Sequence, residues 1–358
     1  MSEAAFILYG SSISLYTGKA RAYLRFKNVP FIEKGITPEI MEKIGYFMIP
    51  VLETPEGEIV QDTTEIIDYL ENRIPGPSIY PEDPVQKLCA LLLEVYGEEW
   101  LVIPAMHYRW KYNKDYILVE FGKRFVPDGS PEEQYRFGEK VSAPFREKIP
   151  FLGINEDSEP SIEAWYEELL GHLNMHFENR EYLFGSRPSI ADYGLLGPLY
   201  AHNYRDPWSG DLMRRLAPNV VRWIDMMNTP EPHGGDFETS VDVTLEPVIK
   251  RLFSECIPAM VSTCEAVANW LDENPEPAEI PRFIGTFPVK IGDSTPEKAI
   301  LPFNQWMFQR PLNYYQSLTG DHKTEVDSFL KRMGGLELMQ TQLRYQLTRA
   351  NYKLGVKE

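Results

Sequence analysis

The chain has 358 residues, 43% of them hydrophobic, which is enough for two or three domains with real cores and no need of cross-links. A formal net charge of −17 excludes a general nucleic-acid binder, which needs a basic face to neutralise phosphates, and disfavours adhesion to anionic membranes. Three cysteines, Cys89, Cys256 and Cys264, are too few for a disulfide framework, and neither a signal peptide nor an apolar run of about 18 residues occurs, so the expectation is a soluble cytoplasmic protein without a membrane or nucleic-acid partner.

In chain order, Ala4–Tyr9 reads as a short buried strand, bounded by Gly10-Ser11-Ser12. Ser14–Lys27 reads as a helix closed by Asn28, and Val29–Glu33 as a second strand, which together make a right-handed β-α-β unit. Thr37–Ile44 is a short helix or turn. Ile49–Thr54 is a strand opened by a proline, a residue that a central strand tolerates only at its first position. A cis Ile49–Pro50 bond is expected there, although only about one in twenty X-Pro bonds is cis. Pro55–Glu58 is a turn and Ile59-Val60 another strand. Gln61-Asp62-Thr63-Thr64 then opens a helix with Ile66, Ile67 and Leu70 on one face. Asp62 and Thr63 are capping types, and the same helix start, with its unpaired N–H groups, can hold a carboxylate.

Xaa-Pro-Val-Leu at Ile49–Leu52, a hairpin, and then Asp-Thr-x-x-Ile-Ile-x-Tyr-Leu at Asp62–Leu70 resemble the glutathione-binding half of the thioredoxin-like domain of glutathione transferases. The resemblance implies that Ile49 with Pro50 offers backbone to the cysteinyl part of glutathione. It also implies that Asp62 and Thr63, with Gln61 adjacent, hold the γ-glutamyl end. Tyr9–Arg21 resembles the first βα turn of the serine- and cysteine-type transferases, with Ser14 at the activating position and Lys19 and Arg21 on the basic positions. Ser12 and Leu15 stand where that pattern has prolines. Ser14 is also a plain N-cap candidate, and Tyr16 and Tyr9 are rival hydroxyls. A thiol of pKa about 8.5 is only a few per cent thiolate at neutral pH, so a hydroxyl donor beside a helix N-terminus would favour the charged form. No cysteine occurs at residues 11–17, which argues against mixed-disulfide chemistry.

Gly76–Pro84 reads as a connector between domains. An apolar helix is expected from Pro84 to about Trp110, broken at Pro104. By the same resemblance, His107, Tyr108 and Trp110, with Tyr16, would wall an electrophile pocket; interhelical packing is the other reading. Residues 127–160 carry Pro127, Pro131, Pro144, Pro150 and Pro160 and are expected to be irregular, a candidate lid. A helix over 161–179 follows. Glu168, His172 and His176 share one face of it and read as a solvated stripe rather than a metal site. Gly185-x-x-x-Ser189-x-Ala191-Asp192 has capping-box spacing and resembles the folding signature of the transferases' helical domain.

The resemblance fades after Asn228. A linker is expected at 230–235, then helices at 245–274, 302–319 and 323–351. Gln305, Trp306, Arg310 and Tyr314 would either pack that extension or cap the cleft. The expected architecture is an α/β thioredoxin-like domain at 1–76, an all-α domain at 85–228 and a further helical region at 234–358. The implied function is activation of the glutathione thiol, as co-substrate and without a metal, for addition to a small electrophile in detoxification by a homodimer. The alternatives are a non-catalytic glutathione- or ligand-binding protein, and an interaction protein whose extension fills the cleft.

Overall fold

The computed structural model describes residues 5–230, 235–277 and 279–357, so most of the linker expected at 230–235 lies outside the described residues. The chain opens with β1 (Phe6–Tyr9), α1 (Leu15–Phe26), β2 (Phe31–Lys34), α2 (Pro38–Ile44), β3 (Val51–Glu53), β4 (Ile59–Gln61) and α3 (Thr63–Glu71). Its sheet has the order β2-β1-β3-β4, with β1 and β2 parallel and the other neighbours antiparallel. That is the thioredoxin-like outline, and the Ile49–Pro50 peptide is cis. Leu8, Leu52, Ala20, Leu24, Ile66 and Ile67 are buried between the sheet and the helices α1 and α3.

Eleven helical segments carry the chain onward through a bundle. They include α4 (Pro84–Val95), α5 (Val102–Tyr112), α6 (Lys114–Gly122), α7 (Pro131–Arg146), α8 (Glu159–His176), α9 (Ile190–Pro198), α10 (Pro207–Leu216) and α11 (Pro218–Asn228). The break expected at Pro104 falls earlier, as a π-helical turn over Tyr96–Trp100. Pro104 itself sits in the first turn of α5, where a missing N–H breaks no helical bond.

Residues 127–160 are not irregular. Ser130 and Glu133 form a capping box that starts the 16-residue α7, Pro131 occupies the tolerated first position, and Pro144 falls in the last turn. The helices α6 and α7 pack as a tight hairpin: a Cβ on Gly138 would lie 1.7 Å from the Leu118 carbonyl oxygen, and one on Gly122 1.8 Å from that of Gln134. Two glycines, not the prolines, decide this region.

The extension contains α12 (Glu246–Arg251), α13 (Ile257–Glu273), α14 (Pro302–Ser317), α15 (Gly320–Met333) and α16 (Leu336–Met339). It also contains two β-hairpins that the reading as helices missed: β5 (Thr286–Pro288) with β6 (Glu297–Ala299), and β7 (Leu347–Ala350) with β8 (Lys353–Val356). The helix expected over 323–351 stops at Gly334, which takes φ +78. Beyond it, Asn351 and Tyr352 both adopt positive φ, 49 and 65, the conformation of a tight two-residue hairpin turn.

Candidate functional site

Strand register brings the site's segments together. Tyr9 pairs with Val51, and Val51 with Gln61, so the chain leaving β1, entering β3 and leaving β4 does so at one end of the sheet. Ser11–Ser14, Ile49-Pro50 and Asp62-Thr63 are therefore neighbours. Ser14 is the N-cap of α1, half-buried, and its Oγ accepts from the Thr17 amide at 3.3 Å. Asp62 is half-buried, takes φ +92, and caps α3 by accepting from the Thr64 amide at 2.9 Å. Tyr9 is committed elsewhere: its hydroxyl donates to Glu53 at 2.7 Å, and burial with that carboxylate pushes its pKa up to about 12.

Behind this sheet end, a shelf formed by Ser11–Ser14, Ile49-Pro50 and Gln61–Thr63, lies a buried charge network. Lys19, 1% exposed, meets Glu94 at 2.7 Å and Glu98 at 2.6 Å. The Thr63 hydroxyl donates to Glu98 at 2.8 Å, and that of Thr64 to Glu94 at 2.9 Å. The hydroxyl of Thr63 thus faces inward, away from the role that the resemblance gave it. Burial opposes the Lys19 charge, but Glu94 and Glu98 more than offset it and its pKa is raised. Burial pushes Glu98 up to about 7, and burial with the Glu98 charge pushes Glu99 up to about 8. The carboxyl of Asp62 is likewise raised, by burial against the pull of Arg349 and Lys19. Tyr16 is half-buried, with its hydroxyl 3.4 Å from the Glu98 carbonyl oxygen. Burial, then Glu99 and Glu98, raise its pKa well above the usual range and keep it a neutral hydroxyl.

Two of the expected electrophile-pocket walls turn elsewhere. His107, 1% exposed, bonds Glu163 at 2.8 Å, and burial lowers its pKa. Tyr108, also 1% exposed, is enclosed by Tyr112, Tyr166 and Trp208. They occupy the face of α5 turned to α8 and α10, which is why an aromatic cluster read as a wall is core instead. Trp110 lies on another face, packed with Ile13 beside the start of α1. An open cleft of about 620 Å³ lies at the tip of the α6–α7 hairpin, lined by Val126, Arg136, Phe137 and Lys140, and shares no residue with the shelf.

The extension reaches the same region with cations. Arg310 of α14 pairs with Glu94, and with Asp68 at 2.9 Å. Lys298 of β6, 2% exposed, lies 5.9 Å over the Trp100 ring. Arg349 of β7 donates to the Gln61 carbonyl oxygen at 2.8 Å and to Glu65 at 2.5 Å. Of the α14 stripe, Gln305 donates to Tyr345 O and Tyr314 to Pro84 O. Arg349 and Lys298 were invisible in sequence because no local pattern links them to residues some 200 to 290 positions away. Glu94 and Glu98 left a trace: carboxylates four apart inside an otherwise apolar helix need a buried partner.

Among the described residues no cluster of metal-ligating side chains occurs. His172 meets Glu168 at 3.4 Å, whereas His176 is buried and bonded to Thr244 at 2.7 Å, so the expected stripe is solvated only in part. The expected capping box of the helical domain, Ser189 with Asp192, is formed, with both residues fully buried.

The family model for the glutathione S-transferase N-terminal domain matches residues 8–78, and that for the C-terminal domain matches 145–231. Glutathione S-transferase omega-1 of Sus scrofa is 25% identical over 175 residues, 41% of this chain and 71% of the relative. A glutathione S-transferase of Pseudomonas putida is 34% identical over 104 residues, 27% of this chain and 46% of that one. Among solved structures, the β-etherase LigF of a Sphingobium strain is 18% identical, covering 64% of this chain and 96% of that one, with a TM-score of 0.45. No helix among the described residues is long and apolar enough to cross a membrane. With both domain models matched and the sheet, helix order and buried capping box in place, the chain belongs to the glutathione transferase superfamily.

Proposed function

We propose that the protein binds glutathione at the end of its N-terminal sheet and activates the thiol for addition to a small electrophile. The observation that carries this reading is the register that gathers Ser14, Ile49-Pro50 and Asp62 at one sheet end. On it, the Ile49 backbone pairs with the cysteinyl unit, and Asp62, with Gln61 and the Thr63 backbone, receives the γ-glutamyl end. The thiol lies toward the N-terminus of α1, where the helix dipole and a Ser14 hydroxyl donor favour thiolate. The sulfur attacks the electrophilic carbon, its proton passes to solvent, and any leaving group departs with the displaced electron pair. Tyr16 and Trp110 flank the electrophile. A cytoplasmic homodimer completes the proposal, to be checked by light scattering.

One observation favours a second reading, a ligand-binding or interaction protein: Gln61 and Thr63 are 4% and 1% exposed and engaged by Arg349 and Glu98. Calorimetric titration with glutathione and conjugation of a chlorodinitrobenzene-type electrophile separate the two. Binding with turnover supports the transferase, binding without turnover the second reading, and no binding sinks both glutathione roles. In an active protein, Ser14→Ala should abolish most turnover. If Tyr16→Phe does so instead, the activating hydroxyl is Tyr16.

A further inference from the structure

The hairpin β7–β8 crosses the N-terminal domain beside the shelf. Arg349, its side chain 5% exposed, donates through one terminal nitrogen to Gln61 O at 2.8 Å and Glu65 Oε2 at 2.5 Å. Its other terminal nitrogen meets Gln61 Oε1, and the Tyr46 hydroxyl at 3.3 Å. At the turn, the Tyr46 hydroxyl donates to Tyr352 O at 2.6 Å, and the Tyr352 hydroxyl to Ile59 O at 3.2 Å. On the hairpin's other side, Gln309 of α14 accepts from the Leu347 amide at 2.7 Å and donates to Leu347 O at 2.9 Å.

The apolar side of the hairpin, Leu347, Leu354 and Val356, packs on Val267, Leu271 and Ile280 of the extension itself, whereas toward the N-terminal domain Tyr352 packs on the Tyr9–Val51 cluster and the other contacts named are polar. Of the eight strand residues only Leu347 is buried, so little apolar area ties the strap to the sheet end. Segments with few buried apolar contacts open locally at low free-energy cost. The Arg349 fork is thus the main hold of the hairpin on the sheet end, and Gln61, one of its acceptors, is a residue of the proposed glutathione shelf.

We propose that β7–β8 is a strap latched over the glutathione shelf by Arg349, and that its release opens the shelf to glutathione. This rests on the reading of the sheet end as a glutathione site. In the closed state Gln61 is occupied by the guanidinium and the γ-glutamyl end meets a cation already paired. When only a fraction of molecules is competent, the apparent dissociation constant rises by the inverse of that fraction, so a strap closed about 90% of the time weakens binding about tenfold.

The test uses the full chain as wild type, Arg349→Gln and Arg349→Lys, with hydrogen exchange over 344–356 and calorimetric titration with glutathione as readouts. We expect faster exchange in the hairpin and unchanged exchange in α9 for Arg349→Gln, with glutathione bound about tenfold more tightly. The lysine variant, which keeps the charge but loses the fork, should fall between, and it decides the matter by the same shift if the glutamine variant does not fold. Faster exchange with unchanged or weaker affinity overturns the strap and leaves the glutathione reading standing. A released hairpin with no glutathione binding in any of the three proteins overturns the glutathione reading, and the gate with it.

Discussion

Two aspartates begin two helices here, and they differ in what is left over. Asp192, at the third residue of α9, is fully buried and accepts from Leu183 N at 3.0 Å, Ser189 N at 2.8 Å, Ser189 Oγ at 2.7 Å and Trp223 Nε1 at 3.0 Å. Asp62, the N-cap of α3, is half-buried, holds φ +92 and accepts from the Thr64 amide at 2.9 Å. A carboxylate has about four acceptor sites. Those of Asp192 are filled by its own fold, whereas at Asp62 the Thr64 and Glu65 amides leave part of that capacity unused. Saturation marks the structural residue and residual capacity the candidate ligand contact.

The contrast breaks most sharply in stability. Asp192→Ala would strand buried backbone amides and the Trp223 indole N–H, each costing about 1–3 kcal/mol when unpaired. A loss of about 4 kcal/mol is expected from denaturant unfolding. Asp62→Ala should instead cost about 1 kcal/mol, the usual value of an N-cap, while weakening glutathione binding at least about tenfold, the equivalent of about 1.4 kcal/mol. If both variants lose stability equally, Asp62 is a structural cap and the shelf reading loses its acidic contact. A third substitution lies between them: Lys19→Met leaves Glu94 and Glu98 buried without their shared cation. Removing one partner of a buried ion pair costs about 3–5 kcal/mol, tempered here because Glu98 can take up a proton and Arg310 still pairs with Glu94.

How far the sequence carries is visible in the same residues. The N-terminal sheet and both aspartates were legible because strands, turns and caps are written in neighbours: Asp62 beside Thr64, Ser189 three before Asp192. The walls of the pocket were not, since His107 and Tyr108 sit in one aromatic run with Trp110 and only the packing of α8 and α10 decides which face is core. The α6–α7 hairpin was misread because prolines announce breaks loudly, while Gly122 and Gly138 matter only once two helices touch. The cations of the extension were out of reach for a further reason: Arg349 and Gln61 are 288 residues apart, and charge complementarity over that distance has no local signature.

The smallest expected effect concerns the acids behind the shelf. Burial, opposed by Lys19, holds Glu98 up at about 7, and burial with the Glu98 charge holds Glu99 at about 8, against about 4.3 in an unfolded chain. An acid whose folded pKa is raised binds its proton more tightly when folded, so its burden on stability is complete above pH 8. That burden is relieved as pH falls through 8 and 7 and is gone near 4.3. His176 works the other way: burial, aided by Arg180, lowers it to about 4, so acidification from about 6.5 toward 4 costs stability as the unfolded imidazole takes protons first. Below about pH 4.3 the salt-bridged Glu94, whose pKa is lowered by Arg310 and Lys19 against its burial, adds to that loss. Two raised acids outweigh one lowered imidazole, so thermal unfolding should peak between about pH 4 and 5, where the relief of Glu98 and Glu99 ends and Glu94 begins to take up a proton, and fall by a few degrees toward pH 9. Glu99→Gln should flatten the alkaline side while leaving the acid side as it was. An alkaline limb unchanged by that substitution would mean that Glu99 is already ionised at neutral pH, with Lys298 as its effective partner. The acid that then adjoins Tyr16 would be a fixed charge opposing any thiolate formed there.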